Sequence, residues 1–298
     1  MSKRVTVGFD GSNPSLDAVW WAADEAVARG AHLRIVSCYQ ISLAGITAIG
    51  WAATEAYAAL MVATENGLVE IRDAVVGKYP GLEITAEPFA GQAGMVLVDN
   101  VDADDLVVVG ASRHEGVTAF WLGSTSRHVV RHSPCPVVVV RGGVNQRHPD
   151  RIVVGVDGSP ASDSALEWAG DEADRRQVDL VVVHGWSYPY LSVDEASSAA
   201  RDLTKVDAAC VLDRAVESAR ERFSAEVTGE LVEQSAVTAL LDTARGGDLL
   251  VLGSRGRGAI VAGLFGSTVS SVLDRCSMPV AVVRGVDDRH VAASTKRR

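Results

Sequence analysis

Short, continuous apolar runs alternate with longer segments of helical periodicity along the whole chain. In the second half such runs lie near 151–156, 179–185, 226–232, 248–253 and 279–283. Runs that are apolar throughout, rather than at every second residue, are typical of parallel strands covered by helices on both faces. The pattern therefore predicts an α/β fold with parallel sheets.

An internal repeat divides this pattern into two halves. Residues 5–12 (VTVGFDGS) recur at 152–159 (IVVGVDGS), and residues 105–110 (DLVVVG) recur at 248–253 (DLLVLG). A repeat of this length predicts two copies of one structural unit. We therefore expect two tandem Rossmann-like domains, each a five-stranded parallel sheet sandwiched between helices.

A polar stretch rich in turn-forming residues separates the two copies and predicts a linker. The expected organisation is a first domain at 1–141, a linker at 142–150, a second domain at 151–285 and a tail at 286–298.

Composition narrows the function classes. A net charge of -10 in 298 residues argues against binding nucleic acid through phosphates, which requires a basic face. The 4 cysteines are far apart and lack metal-ligand spacing, so we interpret them as core residues in a reducing compartment.

Two sequence features bear on location. The chain runs from Met1 almost directly into a strand-like segment, which predicts a cytoplasmic protein. Residues 41–63 carry one charge, at Glu55, and approach the length of a membrane span. Because Gly45 and Gly50 interrupt this segment, we expect a buried helix or a lid and no membrane span.

The candidate binding chemistry lies in a glycine-rich loop that leaves the fourth strand of the second repeat. Gly253 is followed by Gly256 after two residues, and Gly266-Ser267 follows after nine more. Glycines let the backbone approach a ligand closely, and the N–H groups that open the next helix attract phosphate. Hydroxyls at Ser267 and Thr268 are predicted to bond phosphate oxygens while also capping that helix.

This loop, with Asp157 at the end of the first strand, resembles the universal stress protein family, whose ATP-binding members carry the spacing Gly-x2-Gly-x9-Gly-Ser/Thr. The resemblance covers both repeats. It implies that Asp157 lies against the adenosine, that backbone at His184 and Gly185 holds adenine, and that the loop holds phosphates, with or without Mg²⁺. Without the family, Asp157 has a simpler use in closing its Asp-Gly-Ser turn, and both roles are compatible.

The residues predicted to bind ATP in the second domain are Gly155, Asp157, His184, Gly185, Gly253, Ser254, Arg255, Gly256, Arg257, Gly258, Gly266, Ser267 and Thr268. The corresponding residues in the first domain are Gly8, Asp10, Gly110, Arg113, Gly116, Gly123, Ser124 and Thr125. Arg113 stands in place of Gly256, and Glu115 in place of Gly258. Both changes oppose nucleotide binding, although a guanidinium can replace a backbone donor, so binding by the first domain stays open.

Three functions are compatible with these features. The leading hypothesis is a nucleotide-dependent regulator of stress response, growth or dormancy that is not an enzyme beyond slow incidental hydrolysis. The alternatives are a dimerising scaffold that binds no nucleotide, and an adenylating enzyme of a related α/β group, which would need a pyrophosphate-binding motif that is absent here.

The last apolar strands, 137–140 and 280–283, are short and placed late, as edge strands are, and an uncovered edge invites pairing. The family pairs domains through this strand, so the resemblance implies a pseudo-dimer within the chain and further association of two chains.

Overall fold

The computed structural model describes residues 4–40, 52–113, 120–141, 148–188, 195–256 and 266–285. These residues form two compact units. Nearly all of those up to residue 141 belong to the first, and those from 148 to 285 belong to the second. The exact domain bounds stay a prediction, because residues 142–147 of the predicted linker and the tail from 286 onward lie outside the described residues.

The first unit alternates strands and helices. Its elements are β1 (Arg4–Phe9), α1 (Asn13–Arg29), β2 (His32–Tyr39), α2 (Ala52–Lys78), β3 (Ile84–Ala90), α3 (Ala93–Asp99), β4 (Leu106–Gly110), β5 (Ser112–Arg113), β6 (Phe120–Trp121), α4 (Ser124–His132) and β7 (Val137–Val140).

The described residues of the second unit repeat this order apart from the short strands β5 and β6. Its elements are β8 (Arg151–Gly155), α5 (Pro160–Arg176), β9 (Asp179–Gly185), α6 (Glu195–Arg222), β10 (Val227–Val232), α7 (Ala236–Thr243), β11 (Leu249–Gly253), α8 (Ser267–Arg275) and β12 (Val280–Val283). The five predicted strands are present, with ends that differ from the predicted ends by one residue at most.

Each unit contains a five-stranded sheet in which every pair of neighbouring strands is parallel. The order is β3-β2-β1-β4-β7 in the first unit and β10-β9-β8-β11-β12 in the second. The predicted α/β class with two tandem Rossmann-like domains is confirmed. In such a sheet the order reverses beside the first strand, and the crevice outside the carboxyl ends there is the usual ligand position.

The central strands form the core because their side chains are apolar on both faces. Ile152, Val153 and Val154 of β8 are fully buried, as are Val5 and Val7 of β1. Continuous apolar runs thus explain why helices cover both faces of each sheet.

A nearly buried ion pair ties the first strand to the fourth in both units. Arg4 lies 2.7 Å from Asp105 in the first unit, and Arg151 lies 2.6 Å from Asp248 in the second. Both aspartates are 2% exposed, so the loss of either arginine would leave a buried charge without its partner. This pair fixes the amino ends of the strands whose carboxyl ends build the site.

Candidate functional site

The predicted site residues of the second domain gather at one edge of its sheet. Asp157 follows β8, His184 and Gly185 end β9, and Gly253 ends β11. Because these strands are parallel neighbours, their carboxyl ends meet at the same edge. The fold therefore brings together three segments that are far apart in the sequence.

Asp157 closes the turn that precedes α5. The backbone N–H of Ser159 donates to Asp157 Oδ1 at 3.0 Å, and Gly158 adopts a left-handed φ of 72°. Ser159 then caps the helix by accepting from Ser162 N at 3.2 Å. The turn-closing role expected from the sequence is thus present. It uses one of the two carboxylate oxygens of Asp157.

The other carboxylate oxygen of Asp157 lies against the glycine loop. A Cβ atom placed on Gly256 would lie 2.5 Å from Asp157 Oδ2, which is well inside van der Waals contact. Only a residue without a side chain fits there unless the carboxylate moves. The end of the first strand and the glycine loop are therefore in direct contact.

The two ends of the glycine loop also meet. Gly266 N donates to the Ser254 carbonyl at 3.3 Å, and a Cβ on Gly266 would lie 3.8 Å from the Arg255 Cα atom. Ser254 is buried, and Arg255 is half-buried. Arg257 and Gly258 lie outside the described residues. Their roles in binding the ligand stay predictions.

Helix α8 begins directly at this junction. Gly266 is its N-cap, and Ser267 is its first residue. The predicted capping of the helix by Ser267 and Thr268 is therefore wrong, because the N-cap position is taken by a glycine, which has no side chain to accept from the first turn. Exposed Ser267 and half-buried Thr268 lie in the first turn, where N–H groups lack partners within the helix.

Three predicted site glycines have a packing reason to be glycine. A Cβ on Gly253 would lie 2.6 Å from the Ala161 carbonyl oxygen, and one on Gly185 would lie 2.8 Å from the Ala236 Cα atom. Gly155 is tight against Leu240 at 3.0 Å. These glycines let α5 and α7 approach the strand ends, so their presence does not itself require a ligand.

His184 is fixed by the strand beside it. Its Nδ1 atom lies 2.6 Å from the Val156 carbonyl oxygen. A carbonyl oxygen only accepts, so Nδ1 carries the proton.

A cleft of about 580 Å³ opens beside this turn, between α5 and α6. Val156 and Gly158, the two neighbours of Asp157, line its inner end, and Leu166, Val211 and Phe223 supply apolar walls. Sequence reasoning missed this cleft because its walls are ordinary helix residues. It gives the site a space with mixed polar and apolar walls, as small-molecule pockets have.

The first domain builds a similar turn in a different environment. Asp10 Oδ1 accepts from both the N–H and the hydroxyl of Ser12, at 3.0 and 2.5 Å. Burial raises the pKa of Asp10, but these bonds outweigh burial, and the net pKa lies below its usual value. Asp10 is exposed whereas Asp157 is half-buried.

The glycines of the first domain repeat the packing roles seen in the second. A Cβ on Gly110 would lie 2.3 Å from the Pro14 carbonyl oxygen, and one on Gly8 would lie 3.0 Å from Leu97. Gly123 is the N-cap of α4, and Ser124 and Thr125 follow it. Arg113 ends β5, and Gly116 lies outside the described residues.

A further difference between the domains escaped the sequence analysis. Ser37 and Cys38 occupy in β2 the places of His184 and Gly185 in β9. Burial raises the pKa of the Cys38 thiol to about 11. An alignment of the two second strands would have revealed this change at the position where the resemblance places adenine.

Neither a metal centre with three or more protein ligands nor a membrane-spanning helix is found within the described ranges. Among the described residues, no group of three or more His, Cys, Asp or Glu side chains is arranged to hold a metal ion. In the same ranges, no helix has both the length and the apolar character required to cross a membrane.

Comparison with known proteins matches both units to one family. The model of the Universal stress protein family matches residues 1–141 and 149–284. A universal stress protein of Mycobacterium tuberculosis strain H37Rv is 32% identical over 314 aligned positions, which cover 97% of this chain and 97% of the relative. One from Mycolicibacterium smegmatis is 31% identical over 290 positions, which cover 94% and 96%.

A solved structure supports the fold. The crystal structure of a universal stress protein from Archaeoglobus fulgidus aligns with a TM-score of 0.66, at 18% identity, over 95% of this chain and 99% of that one.

Proposed function

The chain belongs to the universal stress protein family, and on that premise we propose that its second domain binds ATP, with or without Mg²⁺, as a regulatory ligand. The protein would act as a nucleotide-dependent regulator of stress response, growth or dormancy in the cytoplasm.

The contact between Asp157 and Gly256 is the observation that carries this proposal. The packing of helices explains Gly155, Gly185 and Gly253. Among the described residues, by contrast, only the Asp157 carboxylate lies close to the Cβ position of Gly256. Because the glycine loop contacts the end of the first strand, the strand end can bind the nucleoside while the adjacent loop binds its phosphates. The first-turn N–H groups of α8 then favour the phosphates.

Charge is consistent with the same proposal. Arg255 is half-buried at the junction with Gly266 and supplies a cation close to the helix start. A cation and a helix N-terminus at one place favour a polyanionic ligand. The thirteen residues predicted for the second domain, Gly155 included, are therefore kept as the proposed site.

We propose a regulatory rather than a catalytic use of the nucleotide. The sequence has no Gly-x4-Gly-Lys-Ser/Thr phosphate loop and no lysine between Gly253 and Thr268, both of which are common where phosphoryl transfer is rapid. ATP would stabilise the domain with the logarithm of its concentration above the dissociation constant, since a ligand that binds only the folded state adds to stability.

The scaffold alternative applies best to the first domain. Cys38 replaces the glycine of the second strand, and Arg113 replaces the glycine that contacts the aspartate. We propose that this domain serves mainly in association, with β7 and β12 each standing last in the strand order of its own domain. Sedimentation that shows a monomer at micromolar concentration would rule out association of two chains.

The test is the amount of nucleotide bound by purified full-length protein, released with acid and identified by chromatography. We expect one ATP per chain, lost in Gly256→Ala and in Asp157→Asn. Asn at 157 keeps an oxygen for the Ser159 contact, so this variant removes charge with little change of shape. Asp10→Asn is the matched control in the first domain, and Gly81→Ala controls for an added methyl group.

Each other outcome has a definite meaning. Two ATP per chain, one of them lost in Asp10→Asn, would show that the first domain binds as well. An absence of nucleotide in the unmodified protein, even after ATP is added with and without Mg²⁺, would overturn the proposal and leave the scaffold. Retention by both Gly256→Ala and Asp157→Asn would place the nucleotide elsewhere.

A further inference from the structure

Two histidines lie together on α4 of the first domain, whereas the proposed nucleotide site belongs to the second domain. His128 and His132 are one helical turn apart, and their ring centroids are 4.2 Å apart at an interplanar angle of 31°. Residues four apart project from the same side of a helix. The two imidazole rings therefore lie side by side on one face of α4.

Both rings are held in place by their surroundings. His132 Nδ1 lies 2.9 Å from the His128 carbonyl oxygen, which only accepts, so Nδ1 carries a proton and Nε2 is the nitrogen left for a metal ion. Half-buried His128 packs over Gly94 of α3, where a Cβ atom would lie 2.9 Å from the His128 Cβ atom. Hydrogen bonds and packing of this kind orient metal-binding histidines.

The fold itself does not require this arrangement. Counting 143 residues along the chain to the same positions of the second domain gives Val237, Ser271 and Arg275 in place of Gly94, His128 and His132. Other positions of the same helices are unchanged, including Leu97 with Leu240 and Asp99 with Asp242. The glycine and the histidine pair thus occur together in one domain and are absent together from the other.

We propose that His128 and His132 bind a divalent first-row transition-metal ion, through one ring nitrogen each, with water completing the coordination. Imidazole suits Cu²⁺, Ni²⁺ and Zn²⁺, and Cu²⁺ binds most tightly in the general affinity order. The ion bridges two successive turns of α4 and stabilises the folded first domain. This site is independent of the nucleotide proposed for the second domain.

The local charges are compatible with a bound cation. Burial lowers the pKa of His128, and the charges of His132 and Arg131 lower it further, whereas Asp99 raises it. Arg131 repels a cation and Asp99 attracts one, so the two opposite charges offset each other.

Calorimetric titration of full-length, tag-free protein with Ni²⁺ and with Cu²⁺ tests the proposal. All proteins carry Cys210→Ser, which removes an exposed thiol that would also bind these ions. We expect one site per chain, with the dissociation constant raised roughly tenfold or more in His132→Asn, because loss of even an outer-shell partner costs that much. His148→Asn, which removes an exposed histidine outside α4, is expected to change nothing, and Mg²⁺ is expected not to bind.

Thermal unfolding gives a second readout. The midpoint should rise with Ni²⁺ concentration in the Cys210→Ser parent protein and in His148→Asn, but not in His132→Asn. His132 is exposed, so its replacement leaves the packing of His128 over Gly94 intact. Equal affinity in His132→Asn and in the parent protein, or no binding of Ni²⁺ and Cu²⁺ by the parent, would overturn the proposal.

Discussion

Asp157 and Gly256 are in contact across the carboxyl edge of the second sheet, with Oδ2 only 2.5 Å from where a Cβ on residue 256 would lie. This contact joins the end of the first strand to the glycine loop, two segments that the sequence places about a hundred residues apart. In the first domain Arg113 stands at the corresponding position. The two domains therefore differ at the point where strand and loop meet.

Gly256→Ala is expected to destabilise the second domain by about 0.5–1.5 kcal/mol, the cost of turning the Asp157 side chain out of its rotamer to admit the methyl group. The strain comes from the Asp157 carboxylate, so the penalty should shrink in the Asp157→Ser background, where the side chain is shorter. Urea unfolding of the double-mutant cycle measures this coupling. Equal penalties in both backgrounds would show that the carboxylate is not the obstacle.

Gly253→Ala is expected to cost at least as much, since its methyl group would meet the Ala161 carbonyl oxygen at 2.6 Å. Backbone moves less readily than a side chain, and no single replacement at Ala161 removes its carbonyl. The free energy of unfolding, measured without nucleotide, checks the effect. Gly77→Ala is the matched control: no described atom lies within 4 Å of its Cβ position, and alanine favours the helix by about 1 kcal/mol.

Gln177→Gly is expected to stabilise the second domain. Gln177 follows α5 with a left-handed φ of 56°, where the first domain has Gly30 with a φ of 58° after α1. A residue with a side chain pays about 1–2 kcal/mol for this conformation, and part of that gain is offset by the greater freedom of glycine in the unfolded chain. Thermal unfolding should show a rise for Gln177→Gly and a fall for Gly30→Ala.

Thiol labelling at pH 7 should show one fast cysteine. Cys210 is exposed, Cys135 and Cys276 are buried, and burial raises the pKa of Cys38 to about 11, so little of Cys38 is thiolate. A chromogenic disulfide reagent should therefore react rapidly with one thiol per folded chain. Cys210→Ser should abolish the fast phase, and a fast phase that persists would contradict the assigned burial.

The pH dependence of Asp10 follows from its hydrogen bonds to Ser12. Its pKa is lowered on folding, so its contribution to stability is present above the unfolded value of about 3.9 and is lost as the pH falls through the folded value. Ser12→Ala should raise the pKa toward its ordinary value, because the hydroxyl donor is lost while the backbone donor remains. Carboxyl carbon NMR titration measures the shift, and Ser164→Ala in the second domain should leave it unchanged.

Much of the fold could be predicted from local patterns. Apolar runs such as 152–154 and 249–252 identify buried parallel strands because burial on both faces leaves no polar alternation. Ser12 with Pro14, and Ser159 with Pro160, identify the starts of α1 and α5, since capping depends on residues a few positions apart. The sequence favours the hydroxyls of Ser267 and Thr268 as the cap of α8, whereas in the structure Gly266 takes the N-cap position.

The sequence by itself determined the repeat, the parallel α/β architecture and the glycine spacing of the proposed site, because each depends on the order of neighbouring residues. Only the tertiary structure decided which neighbouring atoms exclude a side chain at each glycine. Gly253 and Gly185 make room for helices, whereas Gly256 faces Asp157. Such distinctions depend on which distant atoms meet at a strand end, and the packing of strands and helices sets those distances.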